Sequence, residues 1–310
     1  MRRLISPFWL LELYALLLAL LQMPAGVRTD EAKYLLSIPY PHPPLLRSLF
    51  ASLAWMPQQE FFWRFVLASV LVQGVWLLWD MGSVLQTPRR LALAASWLFS
   101  AAFILEAGTV LMAPITALFG LVCVWFALHP RHFPKHVAPL VGCFWFLGLF
   151  SAYQTVLYVP LLVSMLRASH VPTKKILLFL GVPFFLLAFY TCAHPLALAS
   201  LIKVTGQDAP LSLVLRLSQL VWLSLAAGSG MLTIVGMAGI LMSRRGDLLI
   251  TLFLVLAFVF LSHQEYYALL LTPLLVAGVY GLLCKRRLSG TLFLSAHLLM
   301  SILFVFFMFS

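Results

Sequence analysis

The chain has 310 residues, of which 63% are hydrophobic and 9% charged, and its 20 Lys and Arg against 9 Asp and Glu give a formal net charge of +11. Soluble globular domains carry about a quarter charged residues, so this composition excludes a water-soluble fold. The basic residues sit in small clusters between apolar runs, which is how membrane orientation is encoded and argues against a nucleic-acid face.

Apolar runs of about 20 residues, long enough to cross a bilayer, recur from Pro7 onward with short polar breaks. They lack strand alternation, and lipid leaves backbone groups no water to bond, so they are expected to be helices. The predicted architecture is an all-α, polytopic bundle of roughly eleven spans, a single membrane domain over 1–310 without a separate soluble domain. Met1-Arg2-Arg3 before the first apolar run lacks a strong cleavage pattern and reads as an uncleaved signal anchor. The spans are placed at 7–25, 61–80, 91–105, 109–128, 137–152, 154–168, 176–193, 216–242, 247–262, 267–284 and 290–309.

With the N-terminus inside, Arg2/Arg3, Arg89/Arg90, Arg131/Lys135, Arg167/Lys174/Lys175, Arg244/Arg245 and Lys285/Arg286/Arg287 all fall in the cytoplasm. The C-terminus is then outside, and a bacterial plasma membrane is the expected location. Outer segments follow near 26–60, 105–114, 152–154, 194–215 and 262–266. They carry Asp30, Glu31, Glu60, Glu106, Asp208 and Glu265, leaving Glu12, Asp80 and Asp247 elsewhere. Ionisable groups near a bilayer need partners or water, so their convergence predicts a wet outer cavity. Cys123, Cys143, Cys192 and Cys284 have no C-x-x-C spacing and suggest neither a disulfide framework nor a zinc site. His129, His132 and His136 share a segment with Arg131 and Lys135, and a topogenic basic loop accounts for them.

The first outer segment contains Arg28-Thr29-Asp30-Glu31-Ala32-Lys33-Tyr34, then Tyr40-Pro41-His42-Pro43-Pro44-Leu45. Thr29 is a good N-cap and acids suit a first helical turn, so a capped helix start would explain the motif without chemistry. Adjacent helical residues point apart, so Asp30 and Glu31 do not share one substrate atom: one does chemistry and the other supports it. The prolines make 39–44 a stiff connector holding His42, a candidate phosphate or metal ligand whose plainer reading is a solvated loop histidine.

These motifs resemble the first outer loop of the C-type membrane glycosyltransferases, in the branch of protein O-mannosyltransferases and lipid A aminoarabinose transferases. That family shows an acidic pair, an aromatic residue and His-Pro-Pro-Leu. Glu60-Phe61-Phe62-Trp63-Arg64 is similar to its Glu-x-x-x-Arg, Leu111-Met112-Ala113-Pro114 to its Thr-Asp-Ala-Pro, and His263-Gln264-Glu265-Tyr266-Tyr267 to its late outer loop. Met112 stands where the family has an acid, and Ser151-Ala152-Tyr153-Gln154 lacks the usual lysine.

The resemblance implies a sugar donor on polyprenyl phosphate, an acceptor lipid, glycan or protein, and Asp30 as general base. Substrate contacts are then expected from Glu31, Lys33, Tyr40, His42, Arg47, Arg64, Glu106, Tyr153, Lys203, Arg216, His263, Glu265 and Tyr266. Arg64 has a competing explanation as the i,i+4 partner of Glu60, and Lys203 and Arg216 as lipid-headgroup anchors. Some relatives use a divalent metal, for which Glu31, His42, Glu106, His263 and Glu265 have suitable atoms, but no ligand spacing supports a site. The rival readings are a carrier or lipid flippase, expected to show inverted repeats and midplane polar sites, and an inactive scaffold of the same fold.

Overall fold

The structure, a computed structural model, describes residues 2–36, 43–129, 137–194, 212–262 and 264–309. Among these residues every regular element is helical. The chain runs through α1 (Arg2–Gln22), α2 (Thr29–Leu35), α3 (Pro44–Ser52), α4 (Gln59–Gln73), α5 (Val75–Met81), α6 (Thr87–Leu98), α7 (Ala101–Glu106) and α8 (Met112–Leu128). It continues through α9 (Ala138–Ser151), α10 (Val159–Ala168), α11 (Thr173–Ala193), α12 (Leu213–Ala227), α13 (Met231–Ser243), α14 (Gly246–Ser262), α15 (Thr272–Cys284) and α16 (Gly290–Phe309). Tighter 3-10 segments at Tyr153–Tyr158 and Glu265–Leu271 lead into α10 and α15.

Four runs, Gln59–Val84, Thr173–Ala193, Glu265–Cys284 and Gly290–Phe307, are long and apolar enough to cross a membrane. Pro7–Gln22, Met112–Leu128, Ala138–Ser151 and Gly246–Ser262 are shorter apolar helices. Large apolar side chains point outward from α11 and α16, among them Leu177, Phe185, Phe189, Ile302, Phe306 and Phe307, as they do on helices solvated by lipid.

The stretch 216–242, expected as one span, is instead two helices, α12 and α13, meeting at 96°. Gly228-Ser229-Gly230 makes the corner, with φ +53° at Ser229 and +73° at Gly230. Its freed backbone groups are closed within the protein: Gly230 N–H donates to Leu225 O at 2.8 Å, and Thr272 Oγ1 donates to Ala227 O at 3.1 Å. The run 91–105 is also interrupted, at Ser100, whose Oγ caps α7 by accepting from Phe103 N–H at 3.3 Å. The two breaks meet where Ala101 N–H donates to Ser229 Oγ at 2.8 Å and Ser301 Oγ donates to the same atom at 2.9 Å.

The main core binds the helices over most of the chain, with Trp97, Trp145 and Tyr158 fully buried at its centre. Each carries a polar atom that finds a backbone carbonyl: Trp97 donates to Leu71 O, Trp145 to Leu180 O and Tyr158 to Leu270 O. α13 and α15 cross closely along Gly236, Gly239 and Gly278. A Cβ at Gly239 would overlap the Gly278 carbonyl, and one at Gly278 the Gly236 carbonyl. A second apolar cluster, comprising Tyr34, Leu35, Leu46, Phe50, Trp63, Leu67, Val110, Leu111, Met112 and Ala152, seats α2 and α3 against α4 and the turn before α8. That seat positions the acidic motif.

Candidate functional site

α2 starts at Thr29 with Arg28 in the N-cap position, one residue earlier than the sequence suggested. The cap is made by Glu31, whose carboxylate accepts the Arg28 N–H at 2.8 Å. Val110 N–H donates to the other oxygen at 2.8 Å, and Arg64 grips both, Nη1 at 2.9 Å and Nη2 at 3.0 Å. Arg64 also donates from Nε to Glu60 at 3.0 Å, from Nη2 to Gly26 O at 3.0 Å and from Nη1 to Gly108 O at 3.3 Å. Both side chains are 1% exposed. Gly26, at φ +70°, is in a conformation that favours glycine where the chain turns its carbonyl toward the guanidinium. Arg64 thereby ties the turn after α1, helix α2, helix α4 and the loop after α7.

Arg28 reaches across to the C-terminal end of α7, where Nη1 lies 3.0 and 3.2 Å from the Glu106 oxygens and Nη2 lies 3.2 Å from one of them. Burial raises the pKa of Glu106 from 4.5 to about 7. Arg28 opposes that rise, while the charges of Glu31 and Glu265 add to it. Arg28, Lys33 and Arg64 thus face Asp30, Glu31, Glu60 and Glu106, three cations against four acids, with exposed Glu265 near enough to be felt.

Asp30 has different surroundings from its neighbour. Lys33 Nζ donates to Oδ1 at 2.7 Å, and Tyr266 O–H donates to Oδ2 at 3.3 Å. The Asp30 and Lys33 side chains keep 28% and 24% of their surface exposed. Tyr266 is held by an edge-on contact with Tyr267, ring centres 4.4 Å apart, and Gln154 Nε2 donates to the Tyr267 hydroxyl at 2.9 Å. The half-open Asp30 carboxylate therefore lies between α2 and the segment before α15, which the segment before α10 buttresses through Tyr267.

The structure brings together Asp30, Glu31, Lys33, Arg64, Glu106, Glu265 and Tyr266. Glu31 and Arg64 spend their polar atoms inside the protein, which corrects the expectation that they face substrate. Tyr153 turns to Thr191 on α11, 3.5 Å away, and its neighbour Gln154 joins the cluster instead. Arg47 on α3 and Arg216 on α12 are half-buried, and neither forms an ion pair with a described residue. Tyr40, His42, Lys203 and His263 lie outside the described residues. Among the described residues no three His, Cys, Asp or Glu side chains are placed to hold a metal, and Glu31 and Glu106 are already engaged by guanidinium groups. Met112 is 4% exposed in the second apolar cluster, so the position that resembles an acidic site is a core position here.

Arg28, Gln154 and Tyr267 join the site without having been singled out. Arg28 opens the motif and had an outer acid, Glu106, without an assigned cation, which was the one usable clue. Comparison of the chain with protein-family models, with curated proteins and with solved structures found no match.

Proposed function

We propose that this chain is a membrane glycosyltransferase that moves a sugar from a polyprenyl-phosphate donor to a lipid, glycan or protein acceptor at the outer face. In this reading it crosses a bacterial plasma membrane roughly eleven times, with its N-terminus inside and C-terminus outside. The observation that carries the proposal is the division of the acidic pair: Glu31 is sealed by Arg64, Arg28 N–H and Val110 N–H, while Asp30 stays half-open between Lys33 and Tyr266. A structural cap explains Glu31 completely, whereas Asp30 takes no part in the cap and keeps 28% of its side-chain surface exposed.

Asp30 accepts the proton of an acceptor hydroxyl or amine. The acceptor atom bonds to the anomeric carbon as the carbon–oxygen bond to the lipid phosphate breaks, with inversion, and the phosphate leaves with the electron pair. Lys33, 2.7 Å from Asp30, supplies a positive charge near where that negative charge collects. Tyr266 donates to the opposite oxygen and so fixes the orientation of the carboxylate.

The carrier reading draws on broken helices whose open carbonyls take ions. At the α12–α13 bend the Ala227 carbonyl accepts from Thr272 and the Leu225 carbonyl from Gly230 N–H, so neither is an open ion ligand there. The test is sugar release from labelled polyprenyl-phosphate sugars by the purified protein with a membrane-extract acceptor. Asp30→Asn should reduce turnover by about 100- to 10,000-fold while the protein still inserts and stays monodisperse. Full activity in that variant would refute the role of Asp30. Absence of transfer by the wild type across a broad donor panel would favour the scaffold or carrier reading.

A further inference from the structure

A second polar constellation lies far from the outer face, between α1 and α4. Glu12 accepts from Ser69 Oγ at 2.9 and 2.8 Å and from Gln73 Nε2 at 2.6 Å. Trp76 Nε1 donates to Gln73 Oε1 at 2.6 Å. An indole nitrogen can only donate, so it fixes the amide of Gln73 with its oxygen toward Trp76 and its NH2 toward Glu12. Two donors are therefore aimed at Glu12.

Its depth makes this unusual. Ser69 and Gln73 flank the centre of the run Gln59–Val84, which is long and apolar enough to cross a membrane. Glu12 is close to the centre of the apolar helix Pro7–Gln22 that packs along it. Among the described residues no cation pairs with Glu12. Arg2 and Arg3 precede it by ten and nine residues, roughly 14 Å or more along the helix axis. Glu12 is half-buried, and Trp9 and Leu13 on α1 and Val70 on α4 are exposed.

An acid at the bilayer midplane is costly and is normally paired or turned inward. Two neutral donors fill only part of the hydrogen-bonding capacity of its two oxygens and bring no positive charge. We propose that the α1–α4 face around Glu12 is the docking face for a transmembrane helix of another protein, one that brings a lysine or arginine to the midplane against Glu12. Charge complementarity selects that occupant over a second copy of this chain, which would set two acids face to face, and over an acyl chain, which offers no donor.

The test uses the full chain, fluorescently labelled and reconstituted in liposomes, with apolar helical peptides of about 20 residues carrying lysine or leucine at the centre. Energy transfer should show the lysine peptide associating about tenfold more tightly than the leucine peptide. Moving the lysine two turns toward either end should remove the preference, a comparison that needs no variant of the protein. Glu12→Gln should abolish it, and Glu12→Lys should transfer it to a central-glutamate peptide. Equal binding of the lysine and leucine peptides would overturn the proposal, as would a preference that survives Glu12→Gln. Self-association of the wild type that Glu12→Gln removes would assign the face to a second copy and overturn it equally.

Discussion

Arg64 has five N–H groups, and all five are used, on Glu31, Glu60, Gly26 and Gly108. A lysine has three donors on a point charge and cannot reproduce that fork, so Arg64→Lys is expected to rescue little. Arg64→Met leaves Glu31 buried and unpaired, and should destabilise the protein by about 3–5 kcal/mol, seen as a large drop in thermal midpoint in detergent. A midpoint unchanged by the substitution would show that the Arg64–Glu31 pair adds nothing net to stability. Glu106 supplies a pH signature. Its folded pKa is raised from 4.5 to about 7, so the folded chain holds this proton to higher pH than the unfolded chain does. Its contribution to stability is complete below about pH 4.5 and is lost as pH rises through about 7. Thermal midpoints of the wild type and Glu106→Gln, compared across that range, should diverge as pH rises, with the wild type falling relative to the variant. Parallel curves would show an ordinary carboxyl. The Glu60–Arg64 pair was legible because both residues ride one helix four positions apart. The Arg64–Glu31 grip was not, because it joins residues that meet when α2 folds back over α4, and no local spacing records that closure.

At the scale of elements, the α13–α15 seam is the least forgiving contact. Neither Gly236, Gly239 nor Gly278 has room for a Cβ against the facing backbone, and backbone cannot retract as a flexible side chain can. Gly278→Leu is expected to abolish monodisperse behaviour on size exclusion, while the same change at Gly281, where nothing lies within 4 Å, should be tolerated. Aggregation of both variants would place the defect elsewhere than the seam. The helices themselves were readable because lipid forces every long apolar run to satisfy its own backbone. The bend at Gly228–Gly230 was less so: hydropathy integrates over a window and passes over three small residues. The excessive length of 216–242 for one crossing, about 20 residues being enough, was the sign that it held a turn.

For the whole molecule, orientation came from the basic clusters, and the native cysteines give a direct check of it. Cys192 and Cys284 are both exposed, and they lie near the ends of α11 and α15 that the proposed orientation puts on opposite sides. In intact cells a membrane-impermeant thiol reagent should modify a variant that retains Cys192 alone and spare one that retains Cys284 alone. The reverse pattern would invert the topology and move the Asp30 cluster to the cytoplasm. The clustering of Asp30, Lys33, Glu106 and Tyr266 was anticipated as a group of outer residues, but their individual pairings depend on side-chain directions that the alternation of loops does not specify.

The fivefold grip of Arg64 also has a consequence for biosynthesis. Its partners are spread from Gly26 to Gly108, with Glu60 on the same helix. As the chain is synthesised, Arg64 meets the membrane accompanied by Glu60 and, from upstream, Glu31, while Gly108 and Val110 have yet to emerge. The Arg64 cluster can close only after the loop beyond α7 has been made. A ribosome-stalled chain ending before Gly108 should therefore leave the α2 helix, Thr29–Leu35, open to protease, and one extended through α8 should protect it.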